Sequence, residues 1–452
     1  MAGKPSGTGG RDQWGSKLGF IMAAAGSAVG LGNLWKFPYV AGQNGGGAFV
    51  LVYFIMLFLV GFTLMLAELA LGRKTKLNAI GAYRAISKKW AFAGGLGVLT
   101  GFMILSYYSV IGGWVISYLV KAVSGALNVT DPGILSEVFG QVVGTPGPAI
   151  AFHAMFTLAT LLIVIGGVGG GIEKASKIMM PALFVIIILL AIRGMTLPGA
   201  MEGVRYLLVP DFSKINFNVM LSALGQVFFS LSLGMGCMIT YGSYLSKDEN
   251  IPQSATIIPL LDTGVALLAG LATLPAVFAF GFTPDKGAGL MFVTLPAVFA
   301  SMPLGAVFST LFFILVLFAA LSSSISLLEV CVSYVVDEFK MSRKMVTILM
   351  GLAVFLVGIP SALSFGPWSD VYIIGNKTFF DVFDFATSNI MLPLGGLLLC
   401  IFVGWVWGTK GAIEEVTNEG TVSFDLAGFW SILVKFVGPI AIAAVFINSI
   451  FG

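Results

Sequence analysis

The sequence predicts an all-α polytopic membrane protein: two sets of five transmembrane helices in an inverted repeat, with helices 1 and 6 broken, and eleven crossings in all. Three observations predict it. The 452-residue chain is 58% hydrophobic and only 10% charged, far from the roughly 25% charged residues of soluble domains. Windows of about 20 apolar residues, enough to cross a bilayer core, fall at 17–40, 47–72, 91–124, 149–168, 174–194, 217–245, 253–281, 303–337, 345–363, 384–407 and 427–450. The first and sixth windows are interrupted by glycine and small polar residues at corresponding places, about 200 residues apart with four plain windows between them. Paired interruptions of this kind point to a repeat with a binding site between its halves.

One crossing per window gives the sixth window the opposite direction to the first, as an inverted repeat requires. The expected organisation is a mobile cytoplasmic segment (1–16) carrying inner-gate residues, a first repeat (17–194), a second repeat (195–408) and an eleventh helix (409–452). With the N-terminus inside, sixteen of the twenty-four Lys and Arg face the cytoplasm and seven face out, which satisfies the positive-inside rule. The odd count then places the C-terminus outside. Residues 1–16 lack the apolar core of a signal peptide, and the expected location is the cell membrane. A net charge of +3 gives no reason to expect nucleic acid as a partner. Cys237, Cys331 and Cys400 lie in apolar windows and read as packing residues, and a single histidine, His153, excludes a multi-histidine metal site.

Taken in order, Arg11 and Trp14 precede the first helix. Trp14 reads either as an interfacial anchor or as part of a closure on the cytoplasmic side. The stretch Ala23 to Pro38, AAAGSAVGLGNLWKFP, places Gly26, Gly30 and Gly32 within seven residues. Each glycine costs about 1 kcal/mol against alanine in a helix, and in lipid every freed backbone group needs another partner. These glycines suit a close-packed helix interface or a break whose bare carbonyls and amides line a site, and the amide oxygen of Asn33 favours the break. A broken membrane helix can hold a cation on its carbonyls and a carboxylate on its amides. In the second helix Glu68 lies deep in an apolar run, a functional hypothesis by default. Accepting hydrogen bonds from amides freed in a neighbouring broken helix is preferred to direct substrate contact.

The third helix offers Tyr107 and Tyr108, each an apolar face with a hydroxyl that needs a partner when buried. Gly171 and Pro181 bracket nine residues before and within the fifth helix. Both residues destabilise helix, so this inner end reads as a reversible unwinding point or as a plain loop. The sixth helix, QVFFSLSLGMG from Gln226 to Gly236, is the second interrupted one. Asp262 in the seventh helix and Ser322, Ser323 and Ser324 in the eighth bring oxygens to membrane depth. Hydroxyl and carboxylate oxygens suit a hard monovalent cation, while serines bonding back to the preceding turn would equally explain the eighth helix. Residues 284–302 read as a re-entrant outer cap. Lys36 with Asp384 is the candidate outer charge pair, and Arg11 with Asp337 the inner one.

The motifs AAAGSAVGLGNLWKFP, NGGGAF, QVFFSLSLGMG with ITYGSY after it, and LSSSIS resemble those of the neurotransmitter:sodium symporters, and within them the bacterial amino-acid transporters. The likeness runs from Arg11 to about residue 450, with eleven helices where the family generally has twelve. It implies two sodium sites. One would use Ala28, Asn33, Ser230 and Asp262 with the substrate carboxylate, and the other Gly26, Val29, Ala319, Ser322 and Ser323. It also implies a substrate pocket of Ala28, Gly30, Leu31, Gly32, Tyr108, Phe229, Ser230, Ser232, Met235, Ser323 and Leu327. Lys36 with Asp384 and Tyr108 with Phe229 would gate the outer side. Arg11 with Asp337, helped by Trp14, Ser243 and Tyr244, would gate the inner side.

Two departures refine that expectation. Asp262 stands where many members have asparagine, so its charge would supply what chloride supplies in the animal relatives, giving chloride-independent transport. Met235 stands where some bacterial relatives have phenylalanine, and an unbranched, adaptable side chain suits substrates of several sizes. The expected function is sodium-coupled import of hydrophobic L-amino acids, aliphatic and aromatic, by alternating access. A non-transporting amino-acid sensor on the same fold is the alternative, a channel is disfavoured by paired gates, and no nucleophile–base pair or metal cluster points to an enzyme.

Overall fold

A computed structural model describes residues 12–281 and 288–451, and among these residues there is no β-strand. Among the described residues nine helices are long and apolar enough to cross a bilayer, and a bent pair adds another. Span 1 is that pair, Lys17–Ala28 and Gly32–Gln43, bent by 55°. Spans 2 to 5 are Gly47–Thr75, Lys88–Val123, Pro146–Ile165 and Val168–Met195. Span 6 is split into Phe217–Ser230 and Cys237–Ser243. Spans 7 to 11 are Ile251–Ala279, Gly305–Phe339, Arg343–Leu363, Phe379–Val406 and Ala427–Phe451. With span 6 counted, the described residues hold the eleven spans and two broken helices expected of the fold class.

Both breaks lie where the sequence withdraws helix-forming residues, and the groups they free are taken up by side chains of other spans. In span 1 the helix ends at Ala28 and Val29 is extended (φ −69°, ψ 105°). The Gly30 amide then donates to Asn33 Oδ1 at 3.0 Å, so Asn33 takes up an amide freed at the break in its own span. Ser27 O accepts from Ser232 Oγ at 2.7 Å, and Gly32 O from Gln226 Nε2 at 3.2 Å. In span 6, Ser232, Gly234 and Gly236 have φ of 54°, 81° and 79°. A Cβ on Gly234 would lie 2.6 Å from Leu392 O, so both conformation and space demand glycine there. The Gly234 amide donates to Glu68 Oε1 at 2.7 Å, with the amides of Met238 and Ile239 beside the same carboxylate. Glu68 therefore serves the broken helix, as its place in the sequence suggests.

Packing orders the spans around these breaks. The apolar windows of spans 3 and 8 are 78% and 72% buried, against 33% for spans 4 and 11, which puts the former at the centre and the latter at the lipid face. Between spans 7 and 8, Leu290–Ala300 is a short helix whose Phe292 packs against Tyr118 and Phe139, with ring centroids 4.8 and 5.2 Å apart. The expected re-entrant cap includes this helix, and part of it lies outside the described residues. On the N-terminal face, fully buried Arg73 donates to the carbonyl of Glu249 at 2.6 Å and to Glu415 Oε1 at 2.7 Å, and also bonds the Glu415 carbonyl. It ties span 2 to the connections that follow spans 6 and 10.

Of the two readings of the inner end of span 5, the plain loop is not what the structure holds: Val168–Glu173 forms a wide π-helical turn that runs directly into Lys174–Met195, with Pro181 inside the helix. Gly167, at φ +78°, turns the chain just before it. Ile172 and Glu173 are buried, so packing overrides the low helix propensity of the glycine run.

Candidate functional site

The two breaks face one another across a cavity of about 300 Å³. One wall is backbone: Ala28, Gly30, Leu31 and Gly32 from span 1. The remaining walls carry Tyr108 from span 3, Phe229, Ser232 and Met235 from span 6, and Ser323 and Leu327 from span 8. Ten of the eleven expected pocket residues line this cavity. Ser230 does not; its hydroxyl turns away to Asp262 Oδ2 at 2.7 Å. Tyr108 Oη accepts from the Leu31 amide at 3.5 Å, so a phenol and a freed amide sit together at the polar end. The cavity continues past Ile104, Ile111 and Trp114 to Phe139, Phe365 and Phe380. Those rings form an edge-to-face cluster, with the Trp114 and Phe365 centroids 4.9 Å apart. Sequence reading misses this layer, since single aromatics in apolar windows carry no sign of which way they face.

Two clusters of oxygens flank the polar end. In the first, Asn33 Nδ2 lies 2.7 Å from Asp262 Oδ1, 3.0 Å from Ser230 Oγ and 3.2 Å from Asp262 O. Three oxygens thus surround one donor, and Tyr53 Oη donates to Asp262 Oδ2 at 3.5 Å. The donor set is hard oxygen with one carboxylate, which fits a monovalent cation once the Asn33 amide turns its own oxygen inward. In the second cluster, Ser323 Oγ donates to Ser27 O at 3.2 Å and Val29 O at 3.3 Å. Ser322 Oγ donates to Ala319 O at 3.0 Å and to Val29 O at 3.5 Å. The back-bond to the preceding turn is therefore present, and the same hydroxyls also reach span 1. Gly26 lies beside this cluster: a Cβ there would lie 3.1 Å from Ser322 Cβ and 3.1 Å from Met180 Sδ, so spans 1, 5 and 8 meet at this glycine. Met180 directly precedes Pro181.

The gate residues are arranged differently from expectation. Lys36 forms no ion pair with Asp384 among the described residues; its ammonium lies 4.0 Å from the centroid of the Phe229 ring. The ring's negative face takes the place of the carboxylate, while Asp384 accepts from Tyr107 Oη at 3.3 Å and Ser388 Oγ at 3.0 Å. Tyr108 and Phe229 both line the cavity but make no ring contact among the described residues.

On the N-terminal face Arg11 lies outside the described residues, and Asp337 accepts from the backbone and side-chain nitrogens of Asn78 at 3.0 and 3.1 Å. Trp14 stacks edge-on against Tyr241, with centroids 5.1 Å apart, and donates from Nε1 to Tyr241 O at 3.0 Å. Ser243 Oγ bonds back to Thr240 O at 2.5 Å. Tyr244 donates to Glu329 Oε1 at 2.6 Å, and Glu329 is ion-paired with Arg343, whose Nη1 also lies 3.9 Å from Asp12 Oδ2. Glu329 is a residue that sequence reasoning misses, although an acid inside an apolar run is the signal that singles out Glu68. Gly171 and Pro181 sit at the turn and in the interior of span 5.

Comparison with known proteins agrees with this geometry. Residues 11–133 and 139–452 match the sodium:neurotransmitter symporter family. The chain is 46% identical over 440 residues to the uncharacterized sodium-dependent transporter YhdH of Bacillus subtilis, covering 97% of each. It is 27% identical over 494 residues to the sodium-dependent serotonin transporter of Drosophila melanogaster, covering 98% of this chain and 77% of that one. Among solved structures, MhsT in complex with L-phenylalanine superposes with a TM-score of 0.89 at 45% identity, over 97% of this chain and 100% of that one. With two broken spans facing one cavity, and with a family match over nearly its whole length, this chain belongs to the sodium:neurotransmitter symporter family and is a multi-pass, sodium-dependent membrane transporter, not an enzyme.

Proposed function

We propose that the chain imports hydrophobic L-amino acids, aliphatic and aromatic, with two sodium ions bound beside the substrate. The observation that carries this reading is the polarity of the cavity: freed amides of span 1 and the Tyr108 hydroxyl at one end, apolar and aromatic walls elsewhere. An amino acid would set its carboxylate against Gly30, Leu31 and Tyr108 and its side chain against Met235 and Leu327. The phenylalanine found in MhsT is a ligand of that shape.

The first sodium would lie among Ala28, Asn33, Ser230 and Asp262, touching the substrate carboxylate, so that each raises the other's affinity. A second would lie among Gly26, Val29, Ala319, Ser322 and Ser323 and tie span 1 to span 8. The face carrying Trp14 would be cytoplasmic in the cell membrane, with 17–194 and 195–408 as the two repeats. Release would begin when span 5 unwinds between Gly171 and Pro181, withdrawing Met180 from Gly26 and admitting water to the second site. Lys36 would exchange the Phe229 ring for Asp384 as the outer side closes.

The test is uptake of labelled L-tryptophan and L-leucine into proteoliposomes with and without an inward sodium gradient, with chloride replaced by gluconate. Sodium-driven accumulation of both is expected in either anion. Binding without accumulation would make the protein a sensor, and failure to bind either amino acid would overturn the substrate class.

A further inference from the structure

Glu173 lies in the π-helical turn of span 5, two residues past Gly171, and is 3% exposed. Its carboxylate is held from three directions. The Gly15 amide donates to Oε2 at 2.6 Å, the Ser16 hydroxyl to Oε1 at 2.8 Å, and the Lys177 ammonium to Oε1 at 2.6 Å. Two of these donors belong to the segment leading into span 1, and the third lies one helical turn along span 5. Ser16 also caps span 1, because its side-chain oxygen accepts the Gly19 amide at 3.0 Å. Span 1 is pressed onto the carboxyl so closely that a Cβ on Gly19 would lie 2.1 Å from Oε1. Trp14, immediately before, is fastened to span 6 through Tyr241.

The glycine turn itself has few other restraints. A Cβ added at Gly169 or Gly170 would meet nothing within 4 Å. What fixes this turn is the burial of Val168, Ile172 and Glu173, and of the three it is Glu173 that bonds to the segment leading into span 1. If residues 168–173 unwind, the carboxylate moves with them, and the Gly15 amide and Ser16 hydroxyl lose their acceptor. Gly15 is exposed and Ser16 half-buried, so the coupling lies in the buried carboxylate, whose charge-assisted bonds to both are the strong ones; undocking of 14–16 and unwinding of span 5 should occur together.

We propose that Glu173 is a positioning residue that couples the two events, a latch holding the inner end of span 1 closed while span 5 is wound. The proposal rests on the reading that span 5 unwinds for inward release. Breaking the latch lowers the fraction of molecules competent to hold sodium, and apparent sodium affinity falls by that fraction. The pocket is untouched, so substrate affinity at saturating sodium stays near wild type. A residue with only a structural role would instead lower the amount of active protein without this split.

The experiment is hydrogen–deuterium exchange of the full chain in nanodiscs, with and without sodium, on wild type, Glu173→Ala, Glu173→Gln and Ser16→Ala, together with sodium titrations of leucine binding. In wild type, sodium should slow exchange in 14–19 and 168–176 together. Glu173→Ala should speed both segments by about tenfold at saturating sodium and raise the sodium half-saturation by a similar factor. Glu173→Gln keeps one acceptor oxygen and should fall between. Should Glu173→Ala not fold, Ser16→Ala and Glu173→Gln decide the matter through the same paired rise. If 168–176 opens in the variants while 14–19 exchanges as in wild type, the latch is wrong. If 168–176 in wild type ignores sodium altogether, the unwinding reading beneath it is wrong instead.

Discussion

Replacing Asp262 by asparagine largely isolates the charge in the first oxygen cluster, because its two short side-chain hydrogen bonds can survive it and only the long one from Tyr53 is lost. The new amide oxygen can keep the 2.7 Å bond from Asn33 Nδ2, and its NH2 can donate to Ser230, whose hydroxyl, now 2.7 Å from Asp262 Oδ2, simply turns round. What disappears is the carboxylate charge. Turning two charge-assisted bonds into neutral ones weakens each by about 1 kcal/mol. A cation about 4 Å away loses up to about 4 kcal/mol of attraction at an effective dielectric near 20. Relief of the burial penalty on the charge returns much of both. A net loss of about 1.5–3 kcal/mol corresponds to roughly a 10- to 100-fold higher sodium half-saturation. The assay is sodium-dependent binding of labelled leucine in gluconate and then in chloride, with thermal unfolding as the fold control. Wild type should ignore the anion, and D262N should be weak in gluconate and partly restored by chloride. A sodium titration of D262N indistinguishable from wild type in gluconate would refute the role given to this carboxylate.

Pro181→Ala removes a helix-destabilising residue beside the Met180–Gly26 contact, so uptake should slow by about tenfold while sodium-dependent binding from outside stays near wild type, as measured in paired flux and binding assays. Met235→Phe puts a rigid ring into a wall now lined by a flexible thioether, and tryptophan affinity should fall about tenfold relative to leucine, read by competition binding. Arg73→Ala leaves Glu415 and the Glu249 carbonyl without their buried partner, and should cost about 3–5 kcal/mol, seen as a lower Tm in a thiol-reactive melt without a change in substrate selectivity.

The breaks are legible because lipid makes them so: glycine is costly in a membrane helix, and a freed amide has no water to turn to. Gly30, Gly32, Gly234 and Gly236 can therefore be read from the chain, as can Glu68, whose acceptor role in span 6 follows from the same shortage of partners. Span 5 leaves two readings open, and the wound turn sets aside only the plain loop. A run of glycines lowers local propensity, but burial of Ile172 and Glu173 outweighs propensity once the neighbours are in place. Charge pairing is least legible. Lys36 has an aromatic face within 4.0 Å as well as a carboxylate in the neighbourhood, and nothing in sequence spacing says which one a flexible side chain will take. Glu329 and Glu173 escape sequence reading although each is acidic and buried, since their partners Arg343, Tyr244 and Ser16 come from other parts of the chain.

The hydrogen bonds of the broken segments explain why this architecture suits coupling as well as binding. Ser27 O, Val29 O and Gly32 O already have donors from spans 6 and 8, and Asp262 and Ser230 already surround an amide NH2. On the proposed reading, a cation entering either cluster would exchange partners, displacing Asn33 Nδ2 from one and the hydroxyl hydrogens of Ser322 and Ser323 from the other. Exchange would keep the net affinity moderate, because each new contact would replace an old one of comparable strength. It would also make each ligand rearrange groups that the next one uses: turning the Asn33 amide for a cation would take its oxygen from the Gly30 amide, which would thereby be freed to meet a carboxylate. Sodium and amino acid would then be linked through a single side chain, even before the two touch.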